Sequence, residues 1–484
     1  MSSEQPAILL ITADQLRRDA LGCYGGRAVA TPNLDRLAAT GTVYEQAWSA
    51  SPWCLPARSS ILTGRYPRNH RAYSNFRDCP LSRDIPNIYT TLRGAGYHTA
   101  HVGKCHYAPV PYDQTRPDKT LPYQEFRDYY LSLGIDHLRL QDDKQVSVWF
   151  QDDYATELDA AGHLEAYRAA VWNRDHRKVF TFPGPTEWHP DSWVGRNAVE
   201  HIQNHDDAKP MFLWASFSGP HFPFDPPAEY LDRVDENKLG DPLIAGDLDD
   251  PTRAHHRSRH GGNTHHWIEG GTGIHYSDEH WRKLRRHYAA NVALIDDQIG
   301  QLLDAARARF GDNLLIAFTC DHGEMLGNHG VWGKGNCFYS DVLHLPFIVS
   351  HPHGAGAGTR SQRLSSQVDL YPTFAAAAGV DLSGQADPDP RAAVTPATAP
   401  VDGKDLNHTG HEFVYAEGEG FLTVTNGRHK LATIDKAGNR HTEFFDLDAD
   451  PNELENLAGH PKHAEAQRDL ATAAMTALLP AALP

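Results

Sequence analysis

Cysteine is scarce in this chain. Six residues among 484, irregularly spaced and without a C-x-x-C pair, indicate neither a disulfide framework nor a zinc knuckle. A cationic surplus is also missing. Lys and Arg number 45 against 62 Asp and Glu, and the formal net charge of −17 argues against a general nucleic-acid binder, whose footprint is basic. Any positive field that holds an anionic ligand must therefore be local, made by a few cations or a metal. No run approaches the roughly 18 apolar residues that cross a bilayer. The opening MSSEQPAILLITADQ lacks a basic n-region and its short apolar run ends in acid, so it reads as a buried first strand, not a signal peptide. A reduced, cytoplasmic protein with no nucleic-acid or membrane partner is the expectation.

The material for a substantial interior is present: 40% hydrophobic residues and ten Trp, with an ordinary 22% charged. The length suggests one large domain plus a smaller one, residues 1–380 and 381–484. Apolar runs at 8–12, 97–102, 211–217, 314–319 and 347–350 alternate with helical segments, the pattern of an α/β domain with helices on both faces of a sheet. Thr31 is the candidate N-cap of a helix with Pro32 at its first position and Gly41 at its close. Further helices are expected at 192–205 and 278–310. Residues 250–276, rich in His, Arg and Gly, read as a surface loop, and 380–405, rich in Pro, Ala and Asp, as a linker. Short alternating runs at 413–417, 421–425, 430–434 and 443–447 then predict a small antiparallel sheet, followed by a helix at 464–479. No internal repeat is visible.

Two acids end apolar strands: Asp14 follows ILLIT-A and Asp321 follows LLIAFT-C. The carboxyl edge of an open α/β sheet is where ligand sites form. Either Asp alone is as readily a turn cap. The two together, with Gln15 and His322 beside them, offer oxygen and nitrogen ligands for one metal ion. The second feature is SPWCLPARSSILTGRYP around Cys54, where a cysteine opens a short helix with an arginine four residues on. A lone cysteine is usually an inert apolar residue. At a helix N-terminus beside a cation it becomes reactive.

Cys54-Leu55-Pro56-Ala57-Arg58, trailed by Leu62-Thr63-Gly64, resembles the C-x-P-x-R signature of the type I, formylglycine-dependent sulfatases of the alkaline phosphatase superfamily. The resemblance extends over nearly the whole chain, through ILLITADQLRRDALGCYG, TPNLDRLAATGTVYEQAW, FTCDHGEMLGNHGVWGKG and FFDLDADPNELENLAG. It implies an alkaline-phosphatase-like mixed sheet flanked by helices, with a smaller C-terminal antiparallel sheet plus helix. It also implies that a formylglycine-generating enzyme oxidises Cys54, and that the hydrated aldehyde is the nucleophile. Asp14, Gln15, Asp321 and His322 would then hold one divalent metal with the Cys54-derived group. Arg58 would polarise the hydrate. Lys104 and His106, in G-K-C-H, resemble the pair that binds sulfate oxygens and the second hydroxyl. His221, in SGPHFPF, resembles the histidine at the leaving oxygen, and Lys334, in VWGKG, the second sulfate-binding lysine.

Two positions depart from the commonest pattern. Gln15 stands where many members have Asp, and His322 where many have Asn, a pairing that resembles choline sulfatases and phosphonate monoester hydrolases. The change weakens, without reversing, an expected preference for Ca²⁺ over Mn²⁺. Lys104 and His106 pull back toward sulfatases, because phosphonate monoester hydrolases lack that pair. The expected activity is hydrolysis of an aryl, alkyl or carbohydrate sulfate monoester, with a phosphonate monoesterase or phosphodiesterase as the alternative. Asn75 suits a turn or cap more than contact with the bound anion. The 250–276 loop is a candidate specificity lid, and its His255, His256, His260, His265 and His266 lack ligand spacing on a defined element. A homo-oligomer is left open.

Overall fold

The computed structural model describes residues 5–109, 123–145, 151–176, 178–206, 208–243, 277–334, 338–382, 400–407, 410–436 and 439–478. At its centre is β1 (Ala7–Asp14), buried at every position. It belongs to an eight-stranded sheet ordered β4-β3-β5-β1-β6-β7-β2-β8. The partners are β2 (Thr42–Trp48), β3 (His98–Gly103), β4 (His137–Leu140), β5 (Met211–Pro220), β6 (Leu314–Cys320), β7 (Phe347–Ser350) and β8 (Thr359–Ser366). Most pairs are parallel, and β7 runs against both of its neighbours, so the sheet is mixed.

Strand residues point alternately to opposite faces, and β1 shows how this builds two layers of core. Leu9, Ile11 and Ala13 pack with Trp193, Ile295 and Leu302, from the helices Pro190–Gln203 and Asp278–Phe310. Ile8 and Leu10 pack on the other face with Leu55, Leu92 and Phe374, from the helices Cys54–Thr63, Ile88–Gly94 and Leu370–Ala377. The register Ala13↔Cys320 between β1 and β6 sets Asp14 and Asp321 side by side at the carboxyl edge.

The five expected strands form with bounds no more than three residues from their sequence positions. The sequence reading lacked β2, β4 and β8. β4 has only four residues, and β8 begins as an exposed edge, Thr-Arg-Ser-Gln-Arg, with no apolar alternation. The helix Pro32–Thr40 starts and ends as expected, yet Thr31 does not cap it with its side chain. The Thr31 hydroxyl instead accepts from the Gly22 amide at 2.9 Å. The helix's own first amides, Asn33 and Leu34, donate to Asp296 of the long helix at 3.1 and 2.9 Å.

The small sheet is antiparallel, ordered β12-β11-β10-β9: β9 (Val414–Gly418), β10 (Phe421–Thr425), β11 (His429–Lys436) and β12 (Asn439–Asp446). One face, with Val424, Leu431 and Phe444, lies under Leu470 and Ala473 of the terminal helix Ala464–Leu478. The other, with Ala432, Ile434 and Phe445, packs on Trp48, Tyr339 and Val342. Residues 250–276 and most of the 380–405 linker lie outside the described residues. No described helix is long and apolar enough to cross a membrane.

Candidate active site

The chain turns sharply after Asp14. Gln15 takes the left-handed region, with φ +65°, and its amide donates to Asp321 Oδ1 at 3.0 Å. The His322 amide reaches the same oxygen at 2.9 Å. The Asp321 carboxylate is thereby tied to both strand ends. The Gln15 side chain is fixed at both ends: its amide nitrogen donates to Glu324, and Oε1 accepts from Lys334 Nζ at 2.9 Å.

Cys54 is the first residue of a helix that is buried along its whole length. No neighbouring side chain caps that helix locally. Asn75, from a later loop, accepts from the Leu55 amide at 3.0 Å, which is the capping role expected of it. Cys54 Sγ lies 3.0 Å from Lys334 Nζ, 3.1 Å from His322 Nε2, 3.8 Å from Asp14 Oδ1 and 3.9 Å from Lys104 Nζ. Burial pushes the thiol up, but Lys104, Lys334, His322 and a hydrogen bond from His106 outweigh it and hold it well below its ordinary value. The sulfur therefore lies in a local field that favours an anion.

Arg58 sits one helical turn on. Its Nε donates to Asp321 Oδ2 at 2.9 Å, and one terminal nitrogen serves the Lys104 carbonyl and Ser216 Oγ, each at 2.8 Å. It therefore reaches Cys54 through its field and through Asp321, not by a hydrogen bond. Lys104 projects from the end of β3 after Gly103, where a Cβ would stand 1.9 Å from the Ser216 carbonyl oxygen, so only glycine fits. Its ammonium lies between Asp14 Oδ2 at 2.5 Å and Asp143 Oδ2 at 2.7 Å. The Cys105 and His106 amides both donate to Asp142 Oδ1, at 2.9 and 2.8 Å, which shapes the loop carrying His106. His221 follows β5, with Nδ1 2.5 Å from the Phe222 carbonyl and 4.0 Å from Asp143 Oδ2.

Every site residue proposed from sequence is therefore drawn into one buried cluster. Burial and Cys54 push the Asp14 carboxyl up, but Lys104, His221 and Lys334 prevail and hold it at about 2. Ligand atoms of Asp14, Cys54, Asp321 and His322 all lie within 4.8 Å of one another. Two carboxylates, an imidazole and the nearby Gln15 amide oxygen suit one divalent cation. Asp14, Asp143 and His221 converge as closely, but the Lys104 ammonium already stands between the two carboxylates. Sequence reasoning missed Asp142, Asp143 and Glu324. The two aspartates follow a strand end as Asp14 does, but β4 is too short to announce itself.

A mixed sheet with a buried cysteine and acid cluster at its carboxyl edge, flanked by helices, is an alkaline-phosphatase-like α/β fold. Comparison with known proteins then fixes the family. The sulfatase family model matches residues 6–380, and the model for the C-terminal part of N-sulphoglucosamine sulphohydrolase matches 327–478. The chain belongs to the sulfatase family, and it is a sulfuric ester hydrolase. It is 27% identical to an arylsulfatase of Clostridium perfringens, covering 95% of this chain and 92% of that protein. It is 26% identical to a choline-sulfatase of Rhizobium meliloti, over 96% of this chain and 84% of the relative. The fold is similar to phosphonate monoester hydrolase of Agrobacterium radiobacter, with TM-score 0.75, 22% identity, and 97% and 95% of the two chains covered.

Proposed function

We propose that the protein hydrolyses an aryl, alkyl or carbohydrate sulfate monoester to the alcohol and inorganic sulfate. Cys54, after oxidation to formylglycine by a separate maturing enzyme, supplies the nucleophile. The observation that carries this reading is the position of Cys54 Sγ, between Lys334, His322 and Lys104 and beside Asp14. A divalent metal bound by Asp14, Gln15, Asp321 and His322 would supply Lewis-acid polarisation of the sulfate; Ca²⁺ is the proposed ion, with Mn²⁺ the alternative that His322 favours.

Lys104 and Lys334 bring fixed positive charge to the sulfuryl oxygens, in a site from which water is largely excluded. Asp143 and Asp14 hold the Lys104 ammonium in place. Arg58 keeps Asp321 oriented toward the metal position. His106 contacts the nucleophile's own group. At His221, Nδ1 donates to the Phe222 carbonyl, which leaves Nε2 as the position from which a proton would be given to the leaving group. Delivery of that proton to the leaving oxygen supplies roughly two to four orders of magnitude. The names of the arylsulfatase and choline-sulfatase relatives support a sulfate ester as substrate. The phosphonate monoester reading shares the Gln15–His322 pair but leaves Lys104 and His106 without a counterpart.

The test combines peptide mass spectrometry across Cys54 with assays on 4-nitrophenyl sulfate and a 4-nitrophenyl phosphonate monoester. Protein co-expressed with a formylglycine-generating enzyme should show sulfatase activity in proportion to aldehyde content, lost on chelation and restored by a divalent ion. Full activity in unconverted protein would sink the nucleophile assignment, and a dominant phosphonate rate would sink the substrate assignment.

A further inference from the structure

The small sheet carries a second convergence of ligand-type side chains, remote in sequence from the acid-edge cluster. His429 opens β11 and lies directly opposite Asp446, the last residue of β12. Both share a face with Leu431 and Phe444, the face beneath the terminal helix. His463 ends the turn Pro461–His463, which leads straight into that helix. One ligand atom from each of the three residues lies within 4.8 Å of the other two, and His429 Nε2 is 3.5 Å from Asp446 Oδ2.

The rings are held by packing. Phe444 lies against both imidazoles, with centroids 5.5 Å from His429 and 5.9 Å from His463. His460 adds a further imidazole 5.6 Å from His463. We propose that His429, Asp446 and His463 form a second metal site, for a borderline divalent transition cation such as Zn²⁺, which pins the terminal helix to the small sheet. Two imidazoles and one carboxylate favour Zn²⁺ over Ca²⁺ or Mg²⁺, and a water or His460 completes four-coordination.

One cation already competes for this place. An Arg428 terminal nitrogen donates to Asp446 Oδ2 at 3.0 Å. That arginine is 59% exposed, so its ion pair is weak and displaceable. Metal binding and the arginine pair are alternatives at the same carboxylate, which gives the site a signature that a surface histidine cluster lacks.

The experiment is calorimetric titration of the full chain with Zn²⁺, after saturation with Ca²⁺ to fill the catalytic centre. The wild type should bind one tight Zn²⁺ equivalent, and Asp321→Asn should keep it. Both His429→Ala and His463→Ala should weaken it by at least roughly tenfold. Arg428→Ala should tighten it by up to about fivefold, the ceiling for an exposed ion pair. Zn²⁺ should raise the thermal midpoint of the wild type but not of His463→Ala, with His463→Gln as the size-preserving second variant. No Zn²⁺ uptake by the wild type, or uptake indifferent to both histidines, would overturn the proposal.

Discussion

Asp143 shows at the residue scale how much of the site depends on side chains that touch no reacting atom. Its Oδ2 holds the Lys104 ammonium at 2.7 Å, while Oδ1 accepts from the Gln145 amide at 2.8 Å. Burial pushes its carboxyl up, but Lys104 and His221 outweigh burial and keep it ionised well below the usual range. Asp143→Asn keeps the shape and removes the charge, leaving Lys104 to Asp14 alone. Steady-state kinetics on a sulfate monoester should show kcat/KM reduced about 10–100-fold, from loss of positioning. A wild-type rate would mean that Asp14 suffices to hold the lysine.

Among elements, the helix Pro32–Thr40 is instructive because its cap comes from elsewhere in the fold. Two of its first amides and the Asn33 side chain converge on Asp296, in the helix Asp278–Phe310. The two helices thus stabilise each other across 263 residues of chain. Asp296→Ala strands those donors, and equilibrium unfolding should register a loss of ~1–2 kcal/mol. Asp296→Asn keeps one acceptor oxygen and should lose less. Equal losses for the two variants would show that packing, not capping, sets the cost.

Taken as a whole, the molecule buries histidines that do not titrate in the usual range. His70 and His101 are each at about 3, lowered chiefly by burial. His70 Nδ1 accepts from the Ala72 amide at 3.1 Å, a bond that protonation would break. The unfolded chain takes up a proton near pH 6.5, whereas the folded chain resists until about pH 3. The stability held by the neutral rings is therefore complete above pH 6.5 and is lost as pH falls from there toward 3. Each histidine adds a slope of at most about 1.4 kcal/mol per pH unit. Thermal melts between pH 8 and pH 5 should show the midpoint falling below pH 6.5, with a shallower fall in His70→Gln. A midpoint flat across that range would contradict the burial argument.

The sequence by itself determined the central strands, the long helix Asp278–Phe310 and the small antiparallel sheet, and its resemblance to the sulfatases pointed to Asp14, Gln15, Arg58, Lys104, His106, His221, Asp321, His322 and Lys334 as the residues to seek around Cys54. Those features are local: an apolar run that ends in acid, a cysteine opening a helix, a glycine before a lysine. The tertiary structure alone decided which distant groups complete them. Asp143 reaches Lys104, Glu324 reaches Gln15, Asn75 caps the Cys54 helix and Asp296 caps the first helix, because strand register and packing bring these segments together. Thr31 carried the right residue type for a cap, yet its hydroxyl went to Gly22. His429, Asp446 and His463 carry no spacing signal either, since a hairpin and a turn bring them together only after folding. Local chemistry is written along the chain, whereas side-chain partners are fixed by contacts between segments that the chain order does not specify.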